Sequence, residues 1–141
     1  MTTRLAALVV IVVTAGVAHA DTSVGVVVNG EATMQAPLAA HLESWLRGHG
    51  HQVESSPLPP DAINRLADCL VLEDQGCALD LVEKRGRTES LVYARVEVSA
   101  GDAGRDIALT AYWFVKGHKG ISERRVCERC NQDTLKGTVI P

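Results

Sequence analysis

The chain has 141 residues, 46% hydrophobic and 22% charged, enough for one domain with an ordinary core and too few for two large ones. Its 14 Lys and Arg stand against 17 Asp and Glu, a net charge of -3. The chain as a whole therefore lacks the basic surface that nucleic acid or an anionic membrane requires.

Residues 1–20 hold one charge, Arg4, then an apolar run from Leu5 to Val13 and small residues ending in Ala18-His19-Ala20 before Asp21. A charged start, a short apolar stretch and an Ala-x-Ala step are the pattern of a secretory signal peptide. Thr14, Gly16 and His19 break the run well short of the roughly 20 apolar residues a membrane span needs. Cleavage is expected after Ala20, with no cysteine there to carry a lipid. Residues 21–141 then form a mature domain of 121 residues with 13 basic and 17 acidic side chains, net -4. No second apolar stretch is long enough to span a bilayer. An exported protein, periplasmic or extracellular, is expected.

Ser23 to Asn29 holds four valines in five positions, a short β-branched run that suits a strand buried on both faces. Met34, Leu38, Leu42, Trp45 and His49, with Ala39 and Leu46, recur at helical spacing and predict one apolar helix face, stopped by Gly48 and Gly50. Gln52 to Ser55 reads as a short strand ended by Pro57, Pro59 and Pro60. Asp61 reads as the N-cap of a second amphipathic helix through Ile63, Leu66, Ala67 and Leu70. After the Glu73-Asp74-Gln75-Gly76 break, Ala78 to Lys84 predicts a third helix stopped by Gly86.

The period then changes. Val92, Ala94, Val96 and Val98 alternate with Leu91, Tyr93, Arg95 and Glu97, predicting a strand from Glu89 to Ser99 with one buried and one mixed face. Ala100 to Gly104 reads as a hairpin loop, Asp106 to Lys116 as the returning strand, and Ile121 to Cys127 as a third antiparallel strand after the 117–120 turn. Asn131 to Val139 predicts a short last helix. The expected fold is a single α/β (α+β) domain: a βαβ start with a right-handed crossover, a broken helical connection, and a three-stranded meander completing a mixed sheet.

Four cysteines in an exported chain default to two disulfides, with three possible pairings. Local order favours Cys69 with Cys77 across the helix break and Cys127 with Cys130 between the last strand and last helix. Two sharper readings compete. Cys127-Glu-Arg-Cys130 at a strand-to-helix junction is also where a thiol–disulfide oxidoreductase keeps its attacking sulfur, beside Arg124, Arg125 and Arg129. Only eleven residues follow, too few for the rest of such a site. A zinc site of all four sulfurs is opposed by the seven residues between Cys69 and Cys77 and by an oxidising compartment.

Other constellations are weaker. His41, His49 and His51 fall at a helix end and its exit with no further ligand at metal spacing. His118 reads as loop. No serine has a Gly-x-Ser-x-Gly context, Glu73-Asp74 reads as a solvated acidic pair, and Gly25 and Gly30 make no phosphate-binding fingerprint. No catalytic or metal-binding residue is assigned. One asymmetry remains: Lys116 to Lys136 holds six basic residues against three acids, whereas Asp21 to Val115 holds seven against fourteen. Lys116, Lys119, Arg124, Arg125 and Arg129 are the candidate interaction patch, although a charged edge strand is also an ordinary defence against aggregation.

The opening Val-Gly-Val-Val-Val strand, Cys69 and Cys77 followed by Ala78-Leu79-x-Leu81-Val82, the Leu91-Val92 strand, the hairpin and Cys127-x-x-Cys130 before a helix together resemble a family. It comprises small exported α/β modules of myxobacterial type, often preceding PEGA repeats and distantly similar to the amino-terminal domain of TolB. The resemblance implies a non-catalytic role and brings no site residue with it. The expected function is a non-enzymatic envelope protein acting as a binding or assembly module. It would need no cofactor, and its partner would be an envelope protein or polymer and not nucleic acid. The alternative is a thiol–disulfide oxidoreductase attacking through Cys127 and resolving through Cys130. A metal carrier using cysteines or histidines is a third reading.

Overall fold

A computed structural model describes residues 23–101 and 104–139. The expected signal peptide, 1–20, lies outside the described residues. In chain order the elements are β1 (Ser23–Gly30), α1 (Ala32–Gly48), β2 (Gln52–Glu54), α2 (Pro60–Val71), α3 (Gln75–Arg85), β3 (Ser90–Gly101), β4 (Gly104–Val115), β5 (Ile121–Cys127) and α4 (Gln132–Val139). The five strands make one mixed sheet in the order β2-β1-β3-β4-β5. β1 is parallel to both its neighbours, while β3, β4 and β5 run antiparallel in succession.

The first crossover steps from β1 to β2 through α1, and the second steps back past β1 to β3 through α2 and α3. Reversing direction at a constant hand requires the helices to take opposite faces, as they do. On one face, Leu38, Leu42 and Leu46 of α1 and Leu135 of α4 pack on Val24, Val26, Val92, Ala94, Val96, Ile107 and Leu109. On the other, Ala62, Leu66, Cys69 and Leu70 of α2 with Ala78 and Val82 of α3 cover Val27, Leu91, Tyr93 and Phe114. Each buried Leu or Val contributes about 1.5–3 kcal/mol, so the two layers dominate stability.

Several boundaries differ from the sequence expectation for identifiable reasons. Trp45 is 39% exposed, and its ring stacks on His49 at 3.9 Å between centroids. Leu38, Leu42 and Leu46 hold the core face, while Trp45, expected on it, lies at its margin against His49. Asp61 is not an N-cap: extended Pro59 occupies that position and Pro60 opens α2, where a missing N–H costs nothing. Asp61 instead pairs with Arg85 at 3.1 Å, joining the start of α2 to the end of α3. α3 begins at Gln75, three residues early, because Asp74 caps it by accepting from the Cys77 amide at 3.0 Å. Strand pairing runs into the expected loop from Ala100 to Gly104, reaching Gly101 opposite Gly104, while residues 102 and 103 lie outside the described residues.

Two glycines fit the chain where a Cβ would not. At Gly25 a Cβ would collide with the Pro57 ring, and at Gly30, with φ +105°, it would strike the Val96 carbonyl. Gly30→Ala should lose at least about 2 kcal/mol through overpacking and left-handed strain. Gly48→Ala, with open space around it, should gain about 0.5 kcal/mol. Urea unfolding of both variants checks the contrast.

Candidate functional site

Helices cover only part of the sheet. α2 and α3 lie over β1, β3 and the neighbouring end of β4. Beyond them the same face carries a polar row set by strand register: Asn29 on β1 opposite Arg95 on β3, Arg95 opposite Thr110 on β4, and Thr110 opposite Arg124 on β5. One row inward lie Val27, Tyr93, Tyr112 and Ser122. Along β3 the face thus passes from apolar Leu91 through phenolic Tyr93 to cationic Arg95 in steps of two.

Tyr93 is the hinge of that gradient. Its ring is buried, edge-on to Tyr112 at 6.0 Å between centroids. Its hydroxyl accepts from Asn29 Nδ2 at 3.0 Å, while Asn29 Oδ1 accepts from the Gly30 amide at 2.8 Å. The side-chain amide is therefore satisfied at both ends and fixed in orientation. Burial pushes the Tyr93 phenol above its usual range, against the opposing pulls of the Asn29 hydrogen bond and the Arg95 charge. Under the end of α2, Asn29, Gly30, Tyr93 and Arg95 share a cavity of about 260 Å³ with Ala67 and Leu70. Arg95 is held by Glu97 at 2.8 Å.

The five residues of the candidate patch do not form one surface. Lys116 turns inward: its Nζ donates to the Gly86 carbonyl at 2.9 Å, beside the end of α3. Lys119 is exposed in the turn after β4, which is itself fastened by the Gly117 amide donating to Glu83 Oε1 at 2.9 Å. Arg124 and Arg125 are neighbours on β5 and so point to opposite faces. Arg125 pairs with Glu123 at 2.9 Å. The Arg124 side chain has no hydrogen bond or ion pair among the described residues and stands in the polar row. Arg129 lies beyond β5 with φ 53°, its amide donating to Asp106 Oδ1 at 3.2 Å. Only Arg124 is both uncompensated and on the bare face.

Cys69 and Cys77 are disulfide-bonded with Cα atoms 5.7 Å apart, and Cys127 and Cys130 likewise at 5.6 Å. Cys69 is buried, and Cys127 and Cys130 pack against the α1-side core. Asn131 caps α4: its Oδ1 accepts from the Thr134 amide, and its own amide donates to Thr134 Oγ1, both at 2.9 Å. Donors that would favour a thiolate at Cys130 are thus partly engaged already. His49 Nδ1 lies 2.8 Å from the Trp45 carbonyl, and His41 Nε2 is buried with no hydrogen-bond partner. Among the described residues no three His, Cys, Asp or Glu side chains are placed to hold a metal ion.

Of the residues on this face, the sequence named Arg124, as one of five in the candidate patch, and did not name Asn29, Tyr93, Arg95 or Thr110. The available signal was the alternation in Leu91-Val92-Tyr93-Ala94-Arg95, which makes every second residue a candidate for one face.

The raised Tyr93 pKa sets a pH dependence. The folded phenol keeps its proton to higher pH than the unfolded one, so above about pH 10 the unfolded chain binds fewer protons and stability falls as pH rises. Tyr93→Phe should remove that fall while costing about 1 kcal/mol at neutral pH, because Asn29 Nδ2 loses its acceptor. Denaturant unfolding of both proteins from pH 7 to 11 reads the two effects.

No protein-family model matches the chain, and no curated protein matches it. Among solved structures the chain is similar to lipoprotein GNA1162 from Neisseria meningitidis, at 12% identity and a TM-score of 0.48, over 84% of this chain and 91% of that one. It is also similar to the LpoB C-terminal domain from Salmonella enterica, at 13% identity and a TM-score of 0.42, over 76% of this chain and 82% of that one.

Proposed function

We propose that this is a non-enzymatic exported protein, a binding or assembly module that takes an acidic envelope partner on the β4–β5 wing of its sheet. The observation that carries the reading is Arg124, an uncompensated guanidinium on a sheet face that no helix covers. Charge supports it, since the stretch from Lys116 to Lys136 is net +3 on a body that is net -7 from Asp21 to Val115. Export is read from the expected signal peptide at 1–20 and from the four cysteines. No helix among the described residues is long and apolar enough to cross a membrane.

Thiol–disulfide exchange has less support. Cys127 and Cys130 are partly buried against the α1-side core, and the capping of α4 by Asn131 competes with any thiolate for the helix amides. By loop entropy the Cys69–Cys77 bond contributes about 2.5 kcal/mol and Cys127–Cys130 about 1.7. Cys127→Ser with Cys130→Ser should therefore lower stability by roughly that smaller amount. The unmodified protein should show no insulin reduction above background, and turnover lost on Cys127→Ser alone would restore the enzyme reading.

The binding reading is tested with a fluorescent acidic peptide added to the mature protein, 21–141. Arg124→Glu should weaken binding about tenfold or more and flatten its salt dependence, with thermal unfolding unchanged because the side chain is exposed. Unaltered affinity in Arg124→Glu, Lys119→Glu and Arg129→Glu alike would sink it.

A further inference from the structure

Resting on the reading that the β4–β5 wing binds an acidic partner, we propose that the partner enters as a sixth strand. An extended segment would pair along the open edge of β5, with an acidic residue opposite Arg124 and apolar residues opposite Ile121 and Val126.

β5 is the last strand of the sheet, and every second amide and carbonyl along it points away from β4. Its first six residues, Ile121 to Val126, are all exposed. At the opposite edge β2 is only three residues long and runs into prolines within three residues, which is how a sheet edge is normally blunted. β5 is seven residues long, contains no proline, and carries Ile121 at 69% and Val126 at 50% exposure. A strand defended by charge alone would not bracket its cations with two exposed β-branched side chains.

The side chains of β5 state what a neighbour must supply. Ser122, Arg124 and Val126 share the face of the polar row, and Ile121, Glu123 and Arg125 share the other. Glu123 and Arg125 already satisfy each other. The unmet demands are therefore an acid at Arg124, which is central in β5, and apolar contact at Ile121 and Val126. Cross-strand pairs of these kinds are what stabilise one strand on another. A second copy of β5 does not meet them, because full antiparallel overlap sets Arg124 against Arg124, and like charges directly opposite destabilise pairing. An extended acidic segment also keeps its charge along the basic edge and away from the acidic body, where a compact acidic domain would be repelled.

The experiment uses the mature protein and a ten-residue Thr-rich peptide with Val, Glu and Val at the first, fourth and sixth of six consecutive positions, made in both chain directions. Affinity is read by anisotropy and β5 amide exchange by NMR. The expected result is that one direction binds and slows exchange of alternate β5 amides at least about tenfold. N-methylation of the peptide amides that face β5 should weaken binding about tenfold or more, while methylation of the outward set should have little effect. Lys in place of the peptide Glu, or Arg124→Glu, should also weaken it. If Arg124→Glu weakens binding but neither methylated set does, the wing binds acids without adding a strand; this inference falls and the proposed function stands. If neither substitution nor methylation matters, both fall. Light scattering that shows a dimer lost on Arg124→Glu would assign the edge to a second copy and overturn the proposal.

Discussion

Everything in this molecule follows from the position of β1, a parallel strand between two others that must be covered on both faces. A parallel neighbour is reached only by a crossover, and each crossover deposits a helical layer on one face. Two crossovers in opposite directions therefore bury the centre of β1 on both faces, through Val24 and Val26 on one side and Val27 on the other. The antiparallel half obeys a different rule. β3, β4 and β5 are joined by tight connections, which bring no helix with them. Only α4 returns, and it settles against the α1-side core through Leu135. The bare wing is thus a consequence of topology, and a cation on it meets solvent or a partner.

The edge of the covered region is graded rather than abrupt. Burying a polar group costs unless its hydrogen bonds are met, and at Tyr93 the Asn29 amide meets them before the ring is sealed under α2. One row further out Arg95 lies partly exposed and is held by Glu97. Two strands away, beyond Thr110 of β4, Arg124 of β5 is exposed with no side-chain partner among the described residues. Of the two charges in the outer row, Arg95 beside the helices is compensated by Glu97 and Arg124 beyond them has no side-chain partner among the described residues.

Much of this was legible in the sequence because periodicity reports burial directly. The alternating run of β3 and the bounds of β5 could be read from side-chain pattern, and so could the three leucines of α1. What stayed hidden were features that depend on a partner element. Asp74 looked like half of a solvated acidic pair until the Cys77 amide was placed against it. Lys116 looked like part of a patch until the Gly86 carbonyl was found beside its ammonium. The polar row could not be read at all, since Asn29 and Arg95 become neighbours only through strand register. Residue type gave the chemistry available, while register decided which groups met.

Rigidity is what the proposed pairing with a further strand would also require of this wing. An isolated eight-residue helix such as α4 is marginal in water, and β5 beside it is an edge with no further strand to hold it. The Cys127–Cys130 bond joins the two across a turn whose left-handed Arg129 is tied to Asp106. At the other end of β5 the Gly117 amide and the Lys116 ammonium fasten the preceding turn to Glu83 and Gly86. Both ends of the edge strand are thus fixed by contacts that leave its outward amides and carbonyls untouched. For the proposed pairing, a strand already held in the binding geometry would remove part of the ordering cost of association, and fixing the ends rather than the edge would do so while leaving the edge open.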